Sequence, residues 1–110
     1  MIFDQIENTT IITQEKVSVI ELVKKLQTLY PKYKSNNIIV ALTSLDTLTK
    51  SEIAEFLQLS NTHKEAKHSF VIVSNKIDLD VVPDQLDVVP TIQEAHDIIE
   101  MEVMERDLGF

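Results

Sequence analysis

The sequence predicts an α/β fold, in which an N-terminal hairpin leads into alternating helices and mostly parallel strands, as a single domain over residues 1–110. Three observations carry this expectation. Ile38–Leu42 and Phe70–Val73 are continuous apolar runs, the pattern of strands covered on both faces. Three other stretches place apolar residues at a period near 3.6, which is the spacing of one helix face. Each of those stretches opens with Ser or Thr three residues ahead of a Glu, so that the two side chains satisfy free amides at a helix start.

The elements follow in order. Ile2 to Glu7, a polar corner at Asn8-Thr9, and Thr10 to Thr13 read as a strand pair. Ser18-Val-Ile-Glu21 is the first capping box, and Val19, Ile20, Val23, Leu26, Leu29 and Tyr30 follow on one side of a helix. Pro31 is expected to kink or end that helix, and Asn36-Asn37 closes the unit. After the strand at Ile38–Leu42, Thr49-Lys-Ser-Glu52 opens a second helix through Ile53, Phe56 and Leu57 toward a Lys/His-rich end at His63 to His68. Leu86 to Val89 is a weaker strand beyond Phe70–Val73. Thr91-Ile-Gln-Glu94 starts the last helix, through Ile92, Ala95, Ile98 and Ile99 to about Met104. Asp80-Val-Val-Pro83 recurs as Asp87-Val-Val-Pro90, a step far too short for a solenoid repeat.

Composition narrows the function classes. A chain of 110 residues with 44% hydrophobic and 25% charged residues makes one globular core. It has no cysteine, hence no disulfide, thiolate metal site or cysteine nucleophile. Its one glycine is Gly109, so no internal glycine can bring backbone amides close around a phosphate. The opening MIFDQIENTT lacks a basic-then-apolar signal pattern, and no apolar run approaches the ~20 residues of a membrane span. The cytoplasm is the expected compartment, with no membrane partner.

Charge is unevenly spread within a net −8. Residues 1–77 hold nine lysines against eight acids, whereas residues 78–110 hold ten acids against the single base Arg106. An acidic C-terminal third argues against nucleic acid, which selects Lys/Arg surfaces. Met101, Met104, Leu108 and Phe110 are interspersed among Glu100, Glu102, Glu105 and Asp107. Large apolar side chains in an acidic setting predict a protein contact, either a homodimer or a basic partner. The competing reading folds Leu108 and Phe110 back over the sheet edge.

Ser69 to Asp80, "SFVIVSNKIDLD", has the form of a GTPase guanine-specificity segment, in which Asp78 would accept from the base while Asn75 and Lys76 brace the pocket. The Gly-rich triphosphate loop that anchors such binding is missing. A polar turn after a buried strand accounts for the same residues. A small-ligand or nucleotide site at Asn75, Lys76 and Asp78 stands as the alternative function.

Several short patterns, "NIIVALTSLDTLTKSEIAEFLQLS", "SFVIVSN" and "VVPTIQEAHDII", in that order behind a hairpin and a helix, resemble the STAS domain of anti-sigma factor antagonists. The resemblance covers nearly the whole chain, with "PTIQEA" its most specific piece. It implies a non-catalytic regulatory module that works through protein partners and needs no cofactor. The family's switch motif, Asp-Ser-[Ser/Thr]-Gly, falls on Thr49, Lys50, Ser51 and Glu52, where Ser51 alone keeps its residue type. Ser51 is thus the phosphorylation candidate in a degenerate motif, and a serine at a helix start is the competing reading. The ending "QEAHDIIEMEVMERDLGF" also resembles proteins labelled ribonuclease Z, but that zinc endonuclease needs His-x-His-x-Asp-His, and no two histidines here are two apart. His96 and Glu100, four apart on a helix, lack a third metal ligand, so no metal site is expected. Tyr30 and Tyr33, flanked by Lys32 and Lys34, read as core edge rather than a base-stacking patch.

Overall fold

A computed structural model describes residues 2–13, 19–42, 50–75, 82–83 and 85–109, with the side chains of Val19 and Lys50 excepted. Strands β1 (Ile2–Ile6), β2 (Thr9–Thr13), β3 (Asn37–Ala41), β4 (Phe70–Val73) and β5 (Asp87–Val89) form one five-stranded sheet in that order. The β1–β2 pair is antiparallel and every other pair is parallel. Helices α1 (Val19–Tyr33), α2 (Lys50–Glu65) and α3 (Ile92–Asp107) complete the expected α/β plan.

Strand periodicity sorts the core into two layers. Side chains alternate between faces along a strand. Ile38, Val40, Phe70 and Ile72 therefore join Leu22, Leu26, Ile53 and Phe56 beneath α1 and α2. The intervening Ile39, Ala41, Val71 and Val73 join Ala95 and Ile99 beneath α3. Both central strands are buried along their whole length, as the unbroken apolar runs require.

Three local details differ from expectation. The hairpin corner is Glu7-Asn8, because Ile6 and Thr9 already face each other as a pair. Glu7 takes a left-handed conformation there (φ 54), the first-corner geometry that two-residue hairpins ordinarily give to glycine. Pro31 does not end α1, which runs two residues further. Proline removes one amide, but in the last turn little helix remains to be disrupted, and Tyr33 anchors the end by donating its hydroxyl to the Leu26 carbonyl. Finally, α3 continues past Met104 to Asp107, since no breaker precedes Gly109. The Leu108 amide returns to the Met104 carbonyl (3.1 Å), and Gly109, at φ 83, donates to Arg106 (3.1 Å) and stops the helix.

Thr91 caps α3 as its box predicts, its side chain accepting from the Glu94 amide at 3.2 Å. Thr91→Ala is expected to lower stability by about 1 kcal/mol in urea unfolding, since one helix-start amide loses its partner. The Ser18 and Thr49 caps lie outside the described residues.

Candidate functional site

Topology divides the predicted residues between opposite ends of the sheet. In a parallel sheet with helical crossovers, each helix starts at the C-terminal edge of the strands and returns to their N-terminal edge. The contacts agree: His63, near the end of α2, reaches Asn36 just before β3, and Arg106, near the end of α3, reaches Asn37 and Ser69 at the starts of β3 and β4. The start of α2 therefore lies at the C-terminal edge, and the end of α3 at the N-terminal edge.

Ser51 is the second residue of α2 and is exposed. Asn75 lies at the same edge, exposed in the bend after β4. The fold thus brings the switch candidate and the first residue of the ligand-loop candidate to one end. Lys76 and Asp78 lie outside the described residues. Ser51 sits where a helix dipole favours a phosphate, and Glu52 beside it opposes the same charge.

The C-terminal apolar residues form a separate surface. Met101 and Met104 lie on α3 and Leu108 caps its end, and they are 55%, 64% and 70% exposed. None of them joins the Ala95–Ile99 cluster that meets the sheet, and Leu108 at 70% exposure is not folded back over it. Phe110 lies outside the described residues. A groove of about 600 Å³ runs between the hairpin and the neighbouring face of α3, with Met104 on its lining.

Local pattern alone missed a polar network at the N-terminal edge. His63, which opens the Lys/His-rich end of the second helix, is fully buried. A carbonyl can only accept, so the 2.6 Å contact with the Asn36 carbonyl makes Nε2 the protonated ring nitrogen. Nδ1 is then an acceptor, and the Tyr30 hydroxyl donates to it at 2.7 Å. Burial, reinforced by His68 and Arg106 nearby, pushes the imidazole down to about 4 against the partial opposition of the Asn36 bond.

Other groups extend the network across the chain. The Asn36 amide donates to Thr10 (3.1 Å), Asn37 Oδ1 accepts the Ser69 amide (2.9 Å), and Arg106 donates to Ser69 Oγ (3.2 Å). The signal for His63 was present in its spacing: Ile53, Phe56, Ser60 and His63 share the buried face of α2. The network ties α1, α2, α3 and three strands together, and its groups are satisfied mutually.

Tyr33 is buried, with burial and then Tyr30 raising its phenol, as expected of a core-edge residue rather than a stacking platform. No group of three His, Asp or Glu side chains suited to a metal ion occurs among the described residues. No helix among them is long and apolar enough to cross a membrane.

No family model matches the chain, and no curated protein matches its sequence. Similarity appears in three dimensions. A serine-to-glutamate variant of RsbS from Moorella thermoacetica matches with a TM-score of 0.70 at 10% identity, covering 93% of this chain and 96% of that one. A chain from a structure titled as the molecular architecture of the stressosome, a signal integration and transduction hub, matches with a TM-score of 0.62 at 12% identity. There the coverage is 89% of this chain and 95% of that one. The chain has the STAS fold of RsbS, with the mostly parallel five-stranded sheet and the helices described above.

Proposed function

We propose that this chain is a regulatory STAS module that acts by binding another protein, as a degenerate relative of the anti-sigma factor antagonists. The observation that carries the reading is the likeness to RsbS over 93% of this chain and 96% of that one, which leaves little room for an added catalytic unit in the matched region. The stressosome chain comes from an assembly whose title calls it a hub of signal integration and transduction, and a module of the same fold suits subunit contacts of that kind. The exposed apolar ridge of Met101, Met104 and Leu108 supports the same reading, because such side chains in water favour association.

In this reading the phosphoswitch has been lost. Ser51 keeps the hydroxyl, but its setting has become an ordinary helix start. Ser51→Ala is expected to leave partner binding unchanged and stability within about 0.5 kcal/mol, as for an exposed substitution. Stoichiometric phosphate on Ser51 in cells, measured by mass spectrometry, would restore the switch.

The module reading is tested by purifying the tagged chain from its native cell and sizing the product by light scattering. A stoichiometric protein partner is expected. Recovery of the 12.6 kDa chain alone, together with a nucleotide that raises its melting temperature, would replace this reading with a ligand-binding one.

A further inference from the structure

We propose that the groove between the N-terminal hairpin and α3 docks a basic, amphipathic segment of a partner protein. The proposal rests on the interaction-module reading and adds to it the surface used and the chemistry of the segment that fills it.

The groove arises from unequal cover of the sheet. Two helices, α1 and α2, pack on one face. On the other, α3 works alone and its principal contacts fall on β3, β4 and β5. The same face of the hairpin is left as an open step beside it. Pairing puts Ile6 opposite Thr9 on this face, at the mouth of the hollow. Ile6, Ile99, Val103 and Met104 supply its apolar lining, and Ile6 and Met104 are 50% and 64% exposed. An entering apolar side chain would take both out of water, which is the usual source of affinity when an amphipathic segment fills a groove.

Charge selects the occupant. Glu7 and Glu100, both exposed, line the groove beside the half-buried His96, and no lysine or arginine among the described residues does. The helix forming its wall carries Glu94, Asp97, Glu100, Glu102, Glu105 and Asp107. Of these acids Glu100 lines the groove itself, while the helix's Arg106 is engaged with Ser69 and Asn37. A second copy of the chain would bring its own net charge of −8 and the same acidic helix. Nucleic acid is repelled for the same reason. A segment with Lys or Arg set between apolar residues meets both demands, its cations facing Glu7 and Glu100 and its apolar side chains seated on Ile6 and Met104.

The test is a selection of short random peptides against the immobilised full-length chain, followed by anisotropy titrations of the enriched peptides. Lys and Arg interleaved with Leu, Ile or Phe are expected, with binding that weakens as salt rises. Glu100→Lys and Met104→Asp should each weaken binding by about tenfold or more, while Lys24→Glu, on α1 across the sheet, should not. The substituted residues are exposed, so all three variants should keep the parent melting temperature, which is checked first.

Failure to enrich, enrichment of acidic or uncharged peptides, or binding indifferent to Glu100→Lys and Met104→Asp would overturn the proposal. So would a dimer of the chain that Met104→Asp dissolves, since a second copy would then hold the groove. A native partner that still co-purifies with both variants would remove this docking site and leave the module reading intact. The absence of any partner for the parent chain would remove the module reading itself.

Discussion

Acidification from about pH 6.5 to about pH 4 is expected to withdraw roughly 3 kcal/mol of stability through His63 alone. The imidazole lies fully buried between the Tyr30 hydroxyl and the Asn36 carbonyl, and its folded value falls from 6.5 to about 4. In the unfolded chain it takes a proton near its ordinary value, while the folded protein refuses that proton until more than two units lower. The unfolded state therefore binds more protons throughout this window, and stability falls as pH falls. The contribution is fully present above pH 6.5, is lost progressively down to about pH 4, and changes no further below that.

Urea unfolding of the parent chain and of His63→Gln across this range isolates the effect. Glutamine keeps an N–H for Asn36 but cannot titrate, and carboxylates common to both proteins cancel in the comparison. His63→Gln should be less stable near neutrality, because Tyr30 loses its acceptor, but its profile should be flatter toward acid. Parallel profiles would show that the buried network does not hold His63 neutral.

The same residue shows where sequence reading reached and where it stopped. Ile38–Leu42 and Phe70–Val73 announced themselves as the sheet centre because a strand packed on both faces has no polar alternation to hide. Thr91 was legible as a cap because its partner, Glu94, is three residues away. Met101, Met104 and Leu108 were legible as surplus apolar residues because the stripe through Ala95 and Ile99 already supplies the helix face that the sheet covers. Asn37, Ser69 and Arg106 were not legible as a unit. They are 32 and 37 residues apart in turn, and only the strand order brings them together. Asn36-Asn37 looked like a simple turn for that reason. The groove was hidden at a further level, since it depends on which strands α3 leaves uncovered. Comparison of sequences met a parallel limit: at 10% identity the fold persists while the residues that would betray it have changed.

Phe70→Ala is expected to lower stability by about 3–5 kcal/mol, and Met104→Ala by less than about 0.5 kcal/mol, although both residues are large and apolar. Phe70 is fully buried at the start of β4, paired with Ile38 across the ladder and with its ring centroid 6.4 Å from that of His63. Truncation removes aromatic burial and opens a cavity that a sheet pinned on both faces cannot close by collapsing. A domain of this size has about 5–15 kcal/mol in total, so the variant should fold at neutral pH with a much lower urea midpoint.

Below pH 5 the Phe70→Ala and His63 effects act on touching side chains and should not simply add, because a cavity that admits water would relieve the histidine of part of its burial. The acid slope of Phe70→Ala should accordingly be shallower than that of the parent. Met104 faces solvent, and the native chain gives its side chain little to lose on truncation. A loss above about 2 kcal/mol for Met104→Ala would place that residue in the core, and the end of α3 would then be structural support rather than a surface for a partner.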